Sequence, residues 1–210
     1  SKRKKLTPLS FLLMVWTNKL LFIHIPKTAG TSCWRKMGSV GQGFGDDKKG
    51  RSIHHYTWKE CLGRVGQEKF DKLIKFSVVR NPYTRAISEF YWCEAPGVGK
   101  KAGQTFDQFL ESSEEIVKNN DFNETKFHCH FRPQHTFIKD KEKLKVDKLF
   151  RFEKLEEAFE FIAESCPGGG GVDKDVSRGL RERDKELTEK QKEKIYSIYK
   201  EDFIQFGYNK

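Results

Sequence analysis

The chain has 210 residues, with 40 Lys and Arg against 30 Asp and Glu, a net charge of +10, and 36% hydrophobic and 33% charged residues. That length suits one domain, 1–210, with a substantial core to which 18 Phe contribute, and the charge implies an anionic partner without choosing among nucleic acid, an anionic polysaccharide, a membrane surface and a nucleotide. No apolar run reaches the roughly 18 residues of a membrane span, and five cysteines without a CxxC pair imply no disulfide framework.

In chain order, residues 1–18 form a basic and then apolar lead-in. SKRKK reads as a solvated tail, and LSFLLMVW, too short to span a membrane, reads as a packed segment or a first helix. The chain opens at Ser1 without a Met, so an N-terminal anchor or signal would lie out of view. Residues 20–25 are an apolar strand ending at Pro26. Lys27, Thr28, Ala29, Gly30, Thr31 and Ser32 then make a small-residue turn into a helix. Residues 38–51 are a Gly-rich charged loop. A second strand covers 73–79, after which Asn81 is suited to cap a helix with Pro82 at its first position, running to about residue 94. A further loop spans 95–103, and Thr105 caps a short helix through 110. Residues 130–138 read as a loop leading into a strand. Residues 146–152 form another strand, and 154–164 place Leu155, Ala158, Phe159 and Ile162 at helical spacing. A flexible Gly-rich basic loop covers 167–187, and Thr188 with Gln191 forms a capping box for the last helix. Strands alternating with helices predict an α/β fold, a three-layer αβα arrangement around a mainly parallel sheet.

Two of these strand-to-helix turns carry chemistry. In the first, free backbone N–H groups and the positive helix end converge, and Lys27 adds a full charge, so the turn is a phosphate-type cradle resembling a P-loop in plan. It is not a Walker A sequence, because the lysine precedes the glycine. In the second, Arg80 lies at the carboxyl end of a strand and Ser88 on the following helix, the crevice where open α/β sheets bind ligands. Together they suit a ligand with two separate anionic groups.

HIPKTAGTS and VVRNPYTRAIS resemble two segments of the sulfotransferases. The first is similar to their 5′-phosphosulfate-binding loop and the second to their 3′-phosphate-binding segment, in that order. The wording is most like the carbohydrate sulfotransferases, the heparan sulfate 2-O and 6-O enzymes among them, and the likeness extends to residues 54–58, 128–138, 149–155 and DFIQFGY. It implies 3′-phosphoadenosine 5′-phosphosulfate (PAPS) as donor, with no metal, because protein cations neutralise the charge. Lys27 would stabilise the departing oxygen. Thr28, Ala29, Gly30, Thr31 and Ser32 would hold the 5′-phosphosulfate, and Arg80 with Ser88 the 3′-phosphate.

The acceptor hydroxyl needs a base. His54 and His55 are both candidates. The spacing of His55 to Trp58 resembles the H-x-x-W stretch of the 6-O enzymes, which favours His55 and leaves His54 as an acceptor contact, while a carboxylate from elsewhere would serve as it does in some relatives. His130, Arg132 and Gln134 fall in a stretch resembling the acceptor-side H-x-R-P-Q segment. Arg85 reads as a structural or surface residue. His128 and His130 invite a metal reading, but no second cluster completes four ligands.

The implied acceptor is a glycan, neutral or anionic, with no specific nucleic acid and contact with a membrane only through an absent N-terminal anchor. A small alcohol, a phenol or a peptidyl tyrosine is the alternative acceptor. A basic nucleic-acid-binding module and a nucleotide phosphotransferase are the competing classes. The sequon Asn123-Glu124-Thr125 fits a secretory or Golgi location for a eukaryotic chain, with a cytoplasmic location as the alternative.

Overall fold

The computed structural model describes residues 17, 19–38, 53–94, 103–125, 127–170 and 186–210. The readings placed on 1–16, 39–51, 95–102 and 171–185, with Ser52, lie outside the described residues.

Three strands form a parallel sheet in the order β1 (Leu20–Phe22), β2 (Ile74–Val79) and β5 (Lys148–Arg151). The first strand is shorter than the 20–25 run suggests, although Ile23 N–H still donates to Phe76 O at 2.9 Å. Beyond it the chain must leave the ladder to make the Lys27 turn. Ser77, a polar residue inside β2, donates its hydroxyl to Ile23 O at 2.7 Å, which satisfies it within the core.

Side chains of β1 alternate between two cores, as the strand period requires. Leu20 and Phe22 pack with Phe76, Val78 and Trp34 against α1 (Gly30–Lys36) and α7 (Leu155–Ser165). Leu21, Ile23 and Ile25 pack on the other face with Cys61 of α2 (Trp58–Val65), Phe70 of α3 (Gln67–Lys72) and Phe137 of α6 (His135–Ile138). Helices therefore cover both faces of the parallel sheet. A third core joins α4 (Pro82–Cys93), α5 (Phe106–Asn119) and the last helix, α8 (Glu189–Phe206).

The caps read from sequence are in place. Asn81 Oδ1 accepts from Tyr83 N–H with Pro82 at the first position of α4, and Thr188 with Gln191 forms the box of α8. Thr105 likewise caps α5, but this helix runs on to Asn119 because Ser113, Ile116 and Val117 continue its inward stripe. Residues 146–152 yield only the four-residue β5, since Phe152 turns into the 3-10 turn Phe152–Lys154. The segment read as a loop entering a strand is instead the 3-10 helix His128–Phe131 followed by α6, then the hairpin of β3 (Lys139–Asp140) and β4 (Lys143–Leu144). Among the described residues no helix is long and apolar enough to cross a membrane.

Candidate active site

The turn between β1 and α1 is held in an unusual backbone shape. Lys27 (φ 67°) and Ala29 (φ 66°) both adopt the left-handed region, at a cost of about 1–3 kcal/mol each for residues with a Cβ. The surrounding structure compensates. Thr28, fully buried, donates its hydroxyl to Ile25 O at 2.8 Å. Arg80 Nη1 donates to Lys27 O at 3.2 Å, and Arg85 Nε donates to Pro26 O at 3.2 Å. Ala29, as N-cap, supplies no side-chain acceptor to the first amides of α1. Gly30 is the one residue type that fits: a Cβ there would lie 1.9 Å from His24 Nε2, and the His24 ring is wedged among Phe22, Trp34 and His55.

Arg80 stands where β2 ends, as the sequence places it. Its guanidinium lies 4.0 Å over the Phe152 ring, and Nε donates to Thr84 Oγ1 at 3.0 Å. One cation thus ends the strand, braces the Lys27 carbonyl and sits near the start of α4.

On α4, Arg85, Ser88, Glu89 and Trp92 recur at i, i+3, i+4 and i+7, so they share one face. Ser88 is buried on that face, close in the chain to Arg85 and Glu89. Arg85, only 3% exposed, is no surface residue: beyond Pro26 O, its Nη2 donates to the carbonyls of His130 at 2.8 Å and Arg132 at 3.0 Å. It ties the Lys27 turn to the 128–138 segment. Glu89, equally buried, takes His130 Nδ1 at 2.9 and 3.1 Å on its two oxygens. Burial alone would raise the Glu89 carboxyl. The neighbouring His130, with Lys27 and Arg85, outweighs that and holds it below the usual carboxylate range.

Four imidazoles gather beside this face. The His55 ring centroid lies 4.5 Å from His24, 4.2 Å from His54 and 4.7 Å from His130. His130 also stacks on Trp92, at 4.2 Å and nearly parallel, and Lys27 Nζ lies 5.5 Å from the Trp92 ring. Burial, then the neighbouring imidazoles, push His24 and His55 well below the ordinary 6.5, and burial with His130 takes His54 to about 4. His55 Nδ1 sits 3.3 Å from His24 O.

Contacts join Lys27 to Arg80, Lys27 and His130 to Trp92, and His130 to His55 and His54, beyond the carboxyl ends of β1 and β2, while Ser88 lies on the α4 face that carries Arg85 and Glu89. Two of the expected contacts need correction. Gln134 is fully buried and its amide is engaged: Oε1 accepts from Arg80 N–H at 2.9 Å and Nε2 donates to Arg80 O at 2.8 Å, so it clamps the arginine rather than meeting an acceptor. Thr28 offers only its backbone, because its hydroxyl hydrogen is committed to Ile25 O. Arg132 reaches Asn123 Oδ1 at 3.5 Å and the Phe122 and Phe137 rings, while its carbonyl serves Arg85. Trp58, whose spacing nominates His55, donates Nε1–H to Lys139 O and anchors the start of α2.

His128 and His130 diverge, as a 3-10 turn requires: His128 Nδ1 lies 2.8 Å from Asp121 O while His130 faces Glu89. No group of metal-ligating side chains forms among the described residues. Sequence reasoning missed Glu89 and Trp92, and of its two readings of Arg85 the structural one holds. The signal that could have found them is the polar i, i+3, i+4 stripe on a helix leaving the Arg80 turn.

A family model described as the sulfotransferase family matches residues 12–209. The chain belongs to the sulfotransferase family. Neither a curated protein nor a solved structure matches it. As a sulfotransferase, it is a transferase enzyme that moves a sulfuryl group, built as an α/β fold on a small parallel sheet.

Proposed function

We propose that this sulfotransferase takes its sulfuryl group from PAPS and gives it to a hydroxyl of a carbohydrate acceptor. The observation that carries the donor assignment is the Arg80 bridge. One guanidinium at the end of β2 braces the carbonyl of Lys27, so the candidate 3′-phosphate and 5′-phosphosulfate sites are built as one unit. The fit is chemical as well as spatial. Lys27 and Ala29 hold the turn in a left-handed backbone shape, Lys27 brings an ammonium, and Gly30 lets the turn pack directly on the His24 ring.

In that reading the backbone of residues 28–31 and the Thr31 and Ser32 hydroxyls hold the 5′ side, and Arg80 and Ser88 hold the 3′-phosphate. Lys27 stabilises charge growing on the bridging oxygen as the sulfur–oxygen bond breaks. An imidazole of the cluster receives the acceptor proton. A chain net charge of +10 favours an anionic glycan over a neutral phenol, and the sequon at Asn123, which is exposed, accords with a secretory location.

Two measurements test this. Transfer of labelled sulfate from PAPS is screened over desulfated heparan and chondroitin chains, small alcohols, phenols and tyrosine peptides; transfer to a glycan is expected, and transfer confined to phenols or peptides would replace the acceptor. Calorimetry compares 3′,5′-bisphosphoadenosine with adenosine 5′-phosphate. The bisphosphate binds tighter by the roughly 1.5–3 kcal/mol of one charge-assisted contact, and equal affinities would refute the donor assignment.

A further inference from the structure

We propose that His130, held by Glu89, is the group that takes the acceptor proton, in place of His55; this rests on the sulfotransferase reading above. The geometry of the two imidazoles separates them. His130 Nδ1 faces both Glu89 carboxylate oxygens at 2.9 and 3.1 Å. An ionised carboxylate only accepts, so Nδ1 carries the hydrogen and Nε2 the lone pair. The Trp92 ring fixes the imidazole plane from one face, stacked at 4.2 Å. This is the imidazole–carboxylate arrangement that lets a histidine take a proton and leaves the resulting cation paired.

Among the described residues His55 has no such partner. Its Nδ1 meets a backbone carbonyl, and a proton gained there would place a cation among His24, His54 and His130 in a buried space. The charged and titratable groups facing His130 come from every element around it. Glu89 and Arg85 stand on α4, with Arg85 on the His130 carbonyl, and Lys27 acts from the turn. His54 and His55 come from the 3-10 turn after residue 52, and His24 from the segment between β1 and the Lys27 turn. Cys93, 3.7 Å from Glu89 Oε1, is a neutral thiol pushed up to about 12 by burial and by Glu89. Glu89 is therefore the carboxylate that pairs with the imidazole.

In the step, the acceptor oxygen bonds to sulfur, the bond from sulfur to the donor's bridging oxygen breaks with its electron pair leaving on the nucleotide, and the acceptor proton passes to His130 Nε2. Glu89 stays ionised throughout and acts as a positioning residue.

The test uses the full chain with PAPS and the desulfated heparan and chondroitin chains, with sulfate release to water measured alongside. His130→Asn keeps an amide for Glu89 and lowers kcat by about 10²–10⁴-fold, with bisphosphoadenosine affinity unchanged. Glu89→Gln lowers kcat more than it alters KM and moves the acidic limb of the pH profile to lower pH; Glu89→Asp restores part of both. Nitrogen-15 NMR of labelled histidine, which needs no turnover, shows His130 hydrogenated at Nδ1, and its titration shifts in Glu89→Gln. A His130→Asn enzyme with wild-type kcat overturns the proposal, as does an Nε2–H tautomer at His130 or an acidic limb lost in His55→Ala but kept in His130→Asn. Failure of the wild-type chain to transfer sulfuryl at all would instead sink the donor reading, and the NMR result would still decide the dyad.

Discussion

Gln134 grips Arg80 by both of its backbone groups: the side-chain oxygen accepts from Arg80 N–H at 2.9 Å and the side-chain nitrogen donates to Arg80 O at 2.8 Å. Arg80 is the residue at which β2 ends, so its peptide groups pass out of the sheet ladder and need partners elsewhere. Gln134 is itself fixed by Asp202 of α8, whose carboxylate accepts from Gln134 N–H at 2.7 Å and from His135 N–H at 2.9 Å. The last helix thus positions the candidate phosphate-binding arginine through a buried relay across the third core.

Replacing that amide tests the relay. Gln134→Leu leaves two buried backbone groups unpaired, each worth about 1–3 kcal/mol, so denaturant unfolding should shift to lower midpoint. Bisphosphoadenosine affinity should fall with it while the acceptor KM holds. A variant with normal stability and an altered acceptor KM would return Gln134 to the acceptor side.

Lys27→Ala should lower turnover by roughly 10²–10³-fold, the loss expected for one preorganised electrostatic group. Nucleotide affinity should fall less, because Arg80 and Arg85 still hold the turn by the carbonyls of Lys27 and Pro26. Single-turnover transfer separates the two effects, and near-normal turnover would remove Lys27 from the chemistry.

Gly30→Ala places a methyl 1.9 Å from His24 Nε2. The His24 ring has rings on several sides and cannot swing away, so the turn must shift, at a cost of about 1–3 kcal/mol typical of overpacking. Thermal unfolding and bisphosphoadenosine binding should both suffer. His24→Ala combined with Gly30→Ala should recover much of the loss, since it removes the clashing atoms; no recovery would mean that the turn fails for another reason.

Stability should fall on acidification earlier than carboxylate titration explains. The unfolded chain takes up protons on histidine below the ordinary 6.5, whereas the folded chain keeps His54 neutral to about 4 and His24 and His55 neutral well below 6.5. Between those limits the unfolded state binds more protons, so ΔG of unfolding drops as pH falls. Glu89, lowered in the fold, adds a loss in the same direction only below the ordinary 4.5. Calorimetric Tm should begin to decline near pH 6.5, and His54→Asn should flatten part of the decline above 4.5. A Tm that stays level until carboxylates titrate would contradict the buried neutral cluster.

Local rules by themselves determined the two strand-to-helix turns, because their signals are short-range: an apolar run, then Pro26 and small residues, or an apolar run, then Asn81 as cap and Pro82 at the first helical position. They also placed Lys27 and Arg80 at strand ends, and the family is legible in the same two segments. Tertiary structure decided the rest. Whether Gln134 meets solvent or Arg80 depends on α8 packing its Asp202 beneath residue 134, a contact across 68 positions. Arg85 and Glu89 look like ordinary helix charges until the 128–138 segment lies across α4 and supplies His130 and two carbonyls as partners. His54 and His55 differ by one position in sequence, and only their burial beside His24 and His130 gives each its environment. Hydrogen bonds and desolvation act through space, so the identity of a buried polar partner is fixed by how the layers pack and not by its neighbours along the chain.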